Sequence, residues 1–507
     1  MGDDAMHEQL KRMLEEMGRP AVCVIGEVGL DTYVWGCVSG ISPEGPIPVL
    51  RVSQTERRPG GAAVVAVMLG ALGARPACVG AVGEDEAGRR LREQLEAGGI
   101  DAAGLVVFAD RTTPMRVRYF GYVQAAGRGV QQMLRVEEAT GTPLEAGQVD
   151  AIFDVARAAV SRADAVLVYN LPDGPAACDL IERVTRHAVA RGKPLIVDPE
   201  MPSDGRAWRG ASCLLVNRAE AGALTGLKLT GAHDWAAAAR MLIDDGELQS
   251  VVIKLDRDGI YMATAGGESR HVPAHPRELA DVTGAGDMVA AALGLGMAAG
   301  RPIEAAVDLA NLAAGVEVTY HGARAVSRRE LQAELLAAAD PALRKIKPLS
   351  ELLEISRERR ARGEKMAFTN GCFDLLHLGH LNLIQFARRQ GDYLVVGLNT
   401  DRGVKALKGP SRPVNNQEIR ARILAGLEDV DYVVMFDTES VLPLIQQIKP
   451  DVLVKGGDYP KTGVVGWEFV EGYGGRVALA PQVKGLSTTE IIQRMSTGDE
   501  QQSGRKQ

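Results

Sequence analysis

One stretch constrains the fold more than any other: Thr369-Asn370-Gly371-Cys372-Phe373-Asp374-Leu375-Leu376-His377-Leu378-Gly379-His380. Apolar Met366, Ala367 and Phe368 lead in, so Gly371 should follow a buried strand. Leu381, Ile384 and Ala387, three apart, lead out on one helical face. The stretch therefore reads as strand, tight loop, helix, with His377 and His380 at the helix N-terminus. There, unpaired backbone N–H groups and the helix dipole favour phosphate. Two imidazoles beside a triphosphate can stabilise charge as a bond to phosphorus forms and breaks. Zinc is a poorer reading, because the H-x-x-H spacing lacks nearby partner ligands and Cys372 stands alone.

A second anion-binding pattern lies in the first half, at Asp281-Val282-Thr283-Gly284-Ala285-Gly286-Asp287, followed by a run of small residues from Met288 to Ala299. Gly284, Ala285 and Gly286 would form an anion hole, since backbone N–H groups can turn toward a phosphate where no Cβ intervenes. Asp287, at the start of the next helix, is placed to accept the proton of a hydroxyl that attacks a γ-phosphate. The same carboxylate could also act as an ordinary N-cap.

Around these motifs the chain alternates short apolar runs with helical ones. Strands are expected at 22–26, 77–82, 165–169, 194–197, 213–216 and 251–254, with helices ending at glycines such as Gly73 and Gly192. This alternation predicts a mostly parallel sheet covered on both faces. The Lys/Arg/Glu-rich segment from Lys345 to Lys365 marks a boundary, after which a second α/β alternation runs to about Met495. The expected organisation is an N-terminal helix over 1–18, a first domain over 19–340, a linker with an exposed helix over 341–362, a second domain over 363–495, and a disordered tail over 496–507. Met6, Leu10, Met13, Leu14 and Met17 share one helical face, suited to capping this domain or that of a dimer partner.

Bulk composition narrows the class. At 507 residues, two or three domains are expected, and 46% apolar residues suffice for their cores. A net charge of −7 argues against a nucleic-acid surface. Six cysteines, none in C-x-x-C, fit a reducing cytoplasmic compartment. No apolar run of about 18 residues suggests a membrane span, and the N-terminus lacks a signal-peptide pattern.

The G-x-F-D-x-x-H-x-G-H core resembles the nucleotidyltransferase superfamily that joins a nucleoside monophosphate to a phosphorylated substrate. The G-A-G-D motif resembles the ribokinase (PfkB) sugar-kinase family. So do Pro59-Gly60-Gly61-Ala62-Ala63, Gly80 to Gly88, and Asn217-Arg218-Ala219-Glu220. In that order the two halves resemble a family of bifunctional enzymes, a heptose 7-phosphate kinase fused to an adenylyltransferase. Gln131-Gln132-Met133-Leu134-Arg135, Lys455-Gly456-Gly457-Asp458-Tyr459 and Ser487-Thr488-Thr489 carry that likeness.

The resemblance implies an α/β chain, with a ribokinase-like three-layer domain followed by a smaller Rossmann-like nucleotidyltransferase domain of the HIGH superfamily. It implies ATP as substrate of both and Mg²⁺ as cofactor, with Glu220 at the metal. It places Asn217, Glu220, Lys254, Gly259 and Asn311 on ATP, and Asp31, Gly60 and Gly61 on the sugar. In the second domain it places Gly371, Phe373, Asp374, Lys408, Arg412, Lys455, Gly456, Asp458, Ser487, Thr488 and Thr489 on the nucleotide, with Lys408 and Arg412 in a loop that closes over the triphosphate. The product would be ADP-heptose, a lipopolysaccharide-core precursor, made by a homodimer with a separate bisphosphate phosphatase acting between its two steps. Val64 and Pro114 stand where the resembled family has an Asn and a Lys near the sugar. A different sugar phosphate, or a degenerate ligand-binding first domain, are the alternatives this leaves.

Overall fold

The computed structural model describes residues 3–122, 130–139, 142–171, 174–199, 207–274, 283–320, 322–438, 440–457 and 460–481. The chain divides into two compact units, Met1–Leu335 and Leu336–Gln507.

The first unit is built on a nine-stranded sheet. In spatial order its strands are Ser269–Val272, Ile260–Thr264, Ser250–Lys254, Cys213–Asn217, Leu195–Asp198, Ala165–Tyr169, Ala21–Gly26, Arg75–Gly83 and Asp101–Phe108. The pairs made by Ile260–Thr264 are antiparallel and the rest parallel. Alternation along one strand shows why there are three layers. Val22 and Val24 join the core on one face, Cys23 and Ile25 the core on the other, and all four are buried. Each strand expected from the sequence is present, with ends shifted by no more than a residue or two.

Small residues let the helices approach closely. Ala285–Ala298 packs on Ile303–Glu317 so tightly that a Cβ on Gly296 would lie 2.6 Å from the Ala306 Cβ. This is how an Ala- and Gly-rich chain with 4% aromatics fills a core. The N-terminal helix Asp3–Glu16 buries Leu10, Met13 and Leu14 in its own unit.

A second sheet of four strands was not expected. Val28–Ile41 lies between Pro48–Gly61, antiparallel, and Met115–Tyr122, parallel, and the last pairs with Val130–Glu138. Tyr33, Trp35 and Phe120 stack on it with ring centroids 5.7–6.2 Å apart.

The second unit has five parallel strands, in the order Tyr432–Phe436, Tyr393–Asn399, Met366–Gly371, Val452–Gly456 and Arg476–Ala480. The stretch 341–362 does not form the expected linker with an exposed helix. Its helix Leu349–Ala361 buries Leu352 in this unit's core, and the Lys347 N–H donates to the Val433 carbonyl. The charged residues that suggested exposure partly pack as well: the Arg359 guanidinium lies 4.6 Å from the centroid of the buried Tyr393 ring. The expected tail, 496–507, lies outside the described residues, as do Asp458, Ser487, Thr488 and Thr489.

Candidate active sites

Parallel pairing collects chemistry at one edge of the nine-stranded sheet. Tyr169, Asp198, Asn217 and Lys254 each end a strand on its carboxyl side. Tyr169 is in register with Gly26 and Asp198, and Asn217 with Lys254. Ligands of open α/β sheets lie outside this edge. Lys254 Nζ donates to Asp198 Oδ2 at 2.6 Å, and both side chains are largely buried.

Asp287 faces the same place from the helix Ala285–Ala298. The N-cap is Gly284, and no side chain caps the helix, so Asp287 does not cap it. Gly284 sits at φ 102°, and a Cβ there would lie 2.6 Å from Glu317 Oε1 and 2.7 Å from the Ala323 Cα. Only glycine fits this turn. A Cβ on Gly286 would be 3.9 Å from Lys254 Nζ, so the ammonium stands beside the expected anion hole. The Tyr169 hydroxyl donates to Asp287 Oδ1. Burial pushes the Asp287 carboxyl up to about 6, against the opposing pull of that hydrogen bond and of Lys254.

Asp287 shares a cavity of about 180 Å³ with Asp31, Gly61, Val64 and three arginines, Arg116, Arg118 and Arg135. Arg118 Nη1 donates to Asp31 Oδ2 at 2.6 Å, and Arg116 Nη2 to Glu27 Oε1 at 2.8 Å. Asp31 Oδ1 is buried without a hydrogen-bond partner among the described residues. Gly60 makes room for it, since a Cβ there would lie 2.3 Å away. Gly61 has φ 59° and no space for a Cβ beside the Glu27 carbonyl. The arginine cluster was missed as a site. Its signal is the Arg116-Val117-Arg118 alternation, which puts two guanidiniums on one face of a strand, with Arg135 opposite Arg118 in register. Val64 lines the cavity. Pro114 does not number among its lining residues, and its carbonyl accepts from Leu30 N.

The remaining residues expected on ATP are spread along the unit. Asn217 and Glu220 form a capping box that opens the helix Arg218–Thr225, so both side chains also serve the helix end. Gly259 turns at φ 92°, where a Cβ would lie 2.1 Å from the Val272 carbonyl oxygen. Asn311 Nδ2 donates to the Pro273 carbonyl and lines a separate cleft with Met6, His7 and Leu10. Among the described residues no cluster of three or more His, Cys, Asp or Glu could hold a metal. A single carboxylate such as Glu220 still suits Mg²⁺, which usually takes one or two carboxylates and completes its shell with water and substrate phosphates.

In the second unit the expected strand, loop and helix are Met366–Gly371 and Leu378–Arg388, with His377 as N-cap. The His377 and His380 rings stack 3.9 Å apart. Burial, with His377 and Lys408 nearby, lowers His380 to about 4. Burial and Lys408 lower His377 as well. Both imidazoles are therefore weaker bases here than a free histidine. Their Nδ1 atoms, Asn370 Oδ1 and Arg412 Nη2 are buried without hydrogen-bond partners among the described residues. These are polar atoms that a ligand can satisfy.

Phe373, at φ 43°, lies against the His380 ring, and a Cβ on Gly371 would press on the Phe373 ring at 3.2 Å. Lys455, on the strand that ends at Gly456, donates to the Asn370 carbonyl at 2.8 Å. Burial brings its ammonium down to about 8. Two of the residues expected on the nucleotide pair with each other. Asp374 is saturated by protein, accepting from Arg412 Nε at 2.5 Å and Val414 N at 2.7 Å. Arg412 is thereby paired with Asp374, while Lys408 ends the helix Asp401–Lys408 and is exposed.

Residues 19–330 match the pfkB family carbohydrate kinase, and residues 368–494 match the cytidylyltransferase-like family. The chain is 40% identical over 475 residues to the bifunctional protein HldE of Syntrophotalea carbinolica, covering 93% of this chain and 95% of that one. It is 40% identical over 495 residues to the bifunctional protein HldE of Caulobacter vibrioides, covering 97% and 100%. The structure of Arabidopsis thaliana ribokinase complexed with ribose and ATP is similar with a TM-score of 0.52 and 21% identity, over 63% of this chain and 99% of that one. At that identity the likeness is one of fold.

Proposed function

The chain belongs to the family of bifunctional HldE proteins, and from that membership we propose how its two units divide two reactions on one sugar. It is a sugar kinase and a nucleotidyltransferase in one polypeptide. The kinase phosphorylates heptose 7-phosphate at the anomeric hydroxyl, and the transferase adenylylates heptose 1-phosphate, giving ADP-heptose and pyrophosphate.

In the first unit the anomeric hydroxyl lies against Asp287, which takes its proton as the oxygen attacks the γ-phosphorus of ATP. Backbone N–H groups of Gly284, Ala285 and Gly286, with Lys254 beside them, receive the charge on the transferred group. Asp31 Oδ1 accepts from a sugar hydroxyl. Arg116, Arg118 and Arg135 bind the phosphate the acceptor already carries, as guanidiniums suit phosphate oxygens. Mg²⁺, held through Glu220, would neutralise phosphate charge when bound. In the second unit an oxygen of the sugar 1-phosphate attacks the α-phosphorus, and His377 and His380 donate to the phosphate oxygens. Arg412 Nη2 and Lys455 add positive charge. Lys408, Gly371, Phe373 and Gly456 shape or flank that site.

The enzyme is read as a cytoplasmic homodimer that relies on a separate phosphatase to remove the 7-phosphate between its steps. No helix among the described residues is long and apolar enough to cross a membrane. One observation carries the kinase reading: a buried carboxylate with a raised pKa shares a cavity with three arginines. The test is ADP release by the full chain with heptose 7-phosphate and with a panel of hexose and pentose phosphates. Heptose 7-phosphate should give the highest kcat/KM; a hexose phosphate that exceeds it would transfer the assignment to that sugar, with Val64 the first residue to examine.

A further inference from the structure

We propose that Tyr169 is a positioning residue for the kinase, holding Asp287 by one carboxylate oxygen so that the other faces the acceptor hydroxyl. This rests on the reading of Asp287 as the base. Tyr169 ends its strand and is 4% exposed, with its ring in the apolar core. A phenylalanine would fill that volume equally well. The hydroxyl is what a phenylalanine would lack, and its partner is Asp287 Oδ1. The next residue, Asn170, turns at φ 44° and lines the cavity, so the backbone bends away just where the phenol meets the carboxylate.

The charged and titratable groups around this pair come from several elements. Lys254 pulls the carboxyl down, while Asp31 and Asp198 push it up. Arg118 faces Asp287 from Met115–Tyr122, and Glu220 faces Tyr169 and Lys254 from Arg218–Thr225. Burial raises the phenol well above its ordinary pKa, so its hydroxyl keeps the proton that it donates to Asp287. A donor to the carboxylate form favours that form and fixes its orientation. Without it, Asp287 would protonate at a higher pH and could rotate away from the acceptor.

The experiment is Tyr169→Phe in the full chain, with kcat and KM of the kinase measured from pH 5 to pH 9 and the transferase as internal control. The acid limb of kcat should move toward higher pH, with kcat about tenfold lower at pH 6 and less reduced at pH 8. KM for ATP and transferase turnover should not change. In the Asp287→Asn background, Tyr169→Phe should cause no further loss, because the group it acts through is gone. An unmoved acid limb, or an equal loss in both backgrounds, overturns the proposal. Should Tyr169→Phe not fold, Tyr169→3-fluorotyrosine is nearly isosteric and a stronger donor. The acid limb should then move toward lower pH, and an unmoved or raised limb overturns the proposal. Near-normal turnover of Asp287→Asn alone would instead sink the base assignment, which separates the two failures.

Discussion

Asp287, proposed as the kinase base, ties activity to stability through one buried carboxyl. Its carboxyl is raised from 3.8 to about 6, with burial the main cause. The folded state therefore holds this proton more tightly than the unfolded chain. The stability it contributes is present below about pH 4 and is lost as pH rises through 6. At pH 8 the enzyme carries an ionised carboxylate that it would be more stable without. Asp287→Asn should lower sugar phosphorylation by ~10²–10⁴-fold. It should also raise the unfolding temperature of the first unit at pH 8, by an effect of about 1–3 kcal/mol that shrinks at pH 4. Calorimetry at the two pH values checks the sign. A variant less stable at pH 8 would mean that Tyr169 and Lys254 more than offset the burial of the charge.

At the scale of elements, the turn before Ala285–Ala298 joins packing to chemistry. Gly284 adopts a left-handed conformation between Glu317 and Ala323, with no room for a methyl group. Gly284→Ala should force the turn open and displace the N–H groups that receive the transferred phosphate. The expected result is a loss of kinase kcat of ~10²-fold or more, with destabilisation of ~1–3 kcal/mol from backbone strain. The second unit, which shares no residue with this turn, should keep its transferase activity. A folded Gly284→Ala with normal kcat would show that the anion hole does not depend on this glycine. The turn was legible because glycine spacing reports backbone conformation directly. The four-stranded sheet was not, because its strands mix charged and apolar residues without a clean period and expose much of Pro48–Gly61. Nothing local distinguishes such strands from a polar loop.

At the scale of the whole molecule, each unit has its own sheet and cores, with the division near Leu335. The helix Leu349–Ala361 belongs to the second core through Leu352, so a fragment should include it. Residues 336–507 alone should fold cooperatively and form ADP-sugar from sugar 1-phosphate, ATP and Mg²⁺. A fragment starting at residue 363 should be less stable, by about 2–5 kcal/mol if Leu352 behaves as a typical buried leucine. Equal denaturant midpoints for the two fragments would show that the helix contributes nothing.

Sequence by itself determined what depends on neighbours along the chain. Strands such as Ala165–Tyr169 announce themselves by continuous apolar runs, and the G-A-G-D and H-L-G-H turns by glycines and histidines at helix starts. Tertiary structure alone decided what depends on pairing across distance. Arg118 meets Asp31 across 87 positions, and Tyr169 meets Asp287 across 118. Neither pair has a local signature, because each residue has a plausible bland role on its own strand or helix. The partner of Arg412 was hidden for the same reason. Nothing in its loop announces Asp374, whose carboxylate is fully buried and needs a cation. Burial, which no short window of sequence contains, turns these ordinary residues into a carboxylate with a raised pKa, a phenol paired with it and an ion pair.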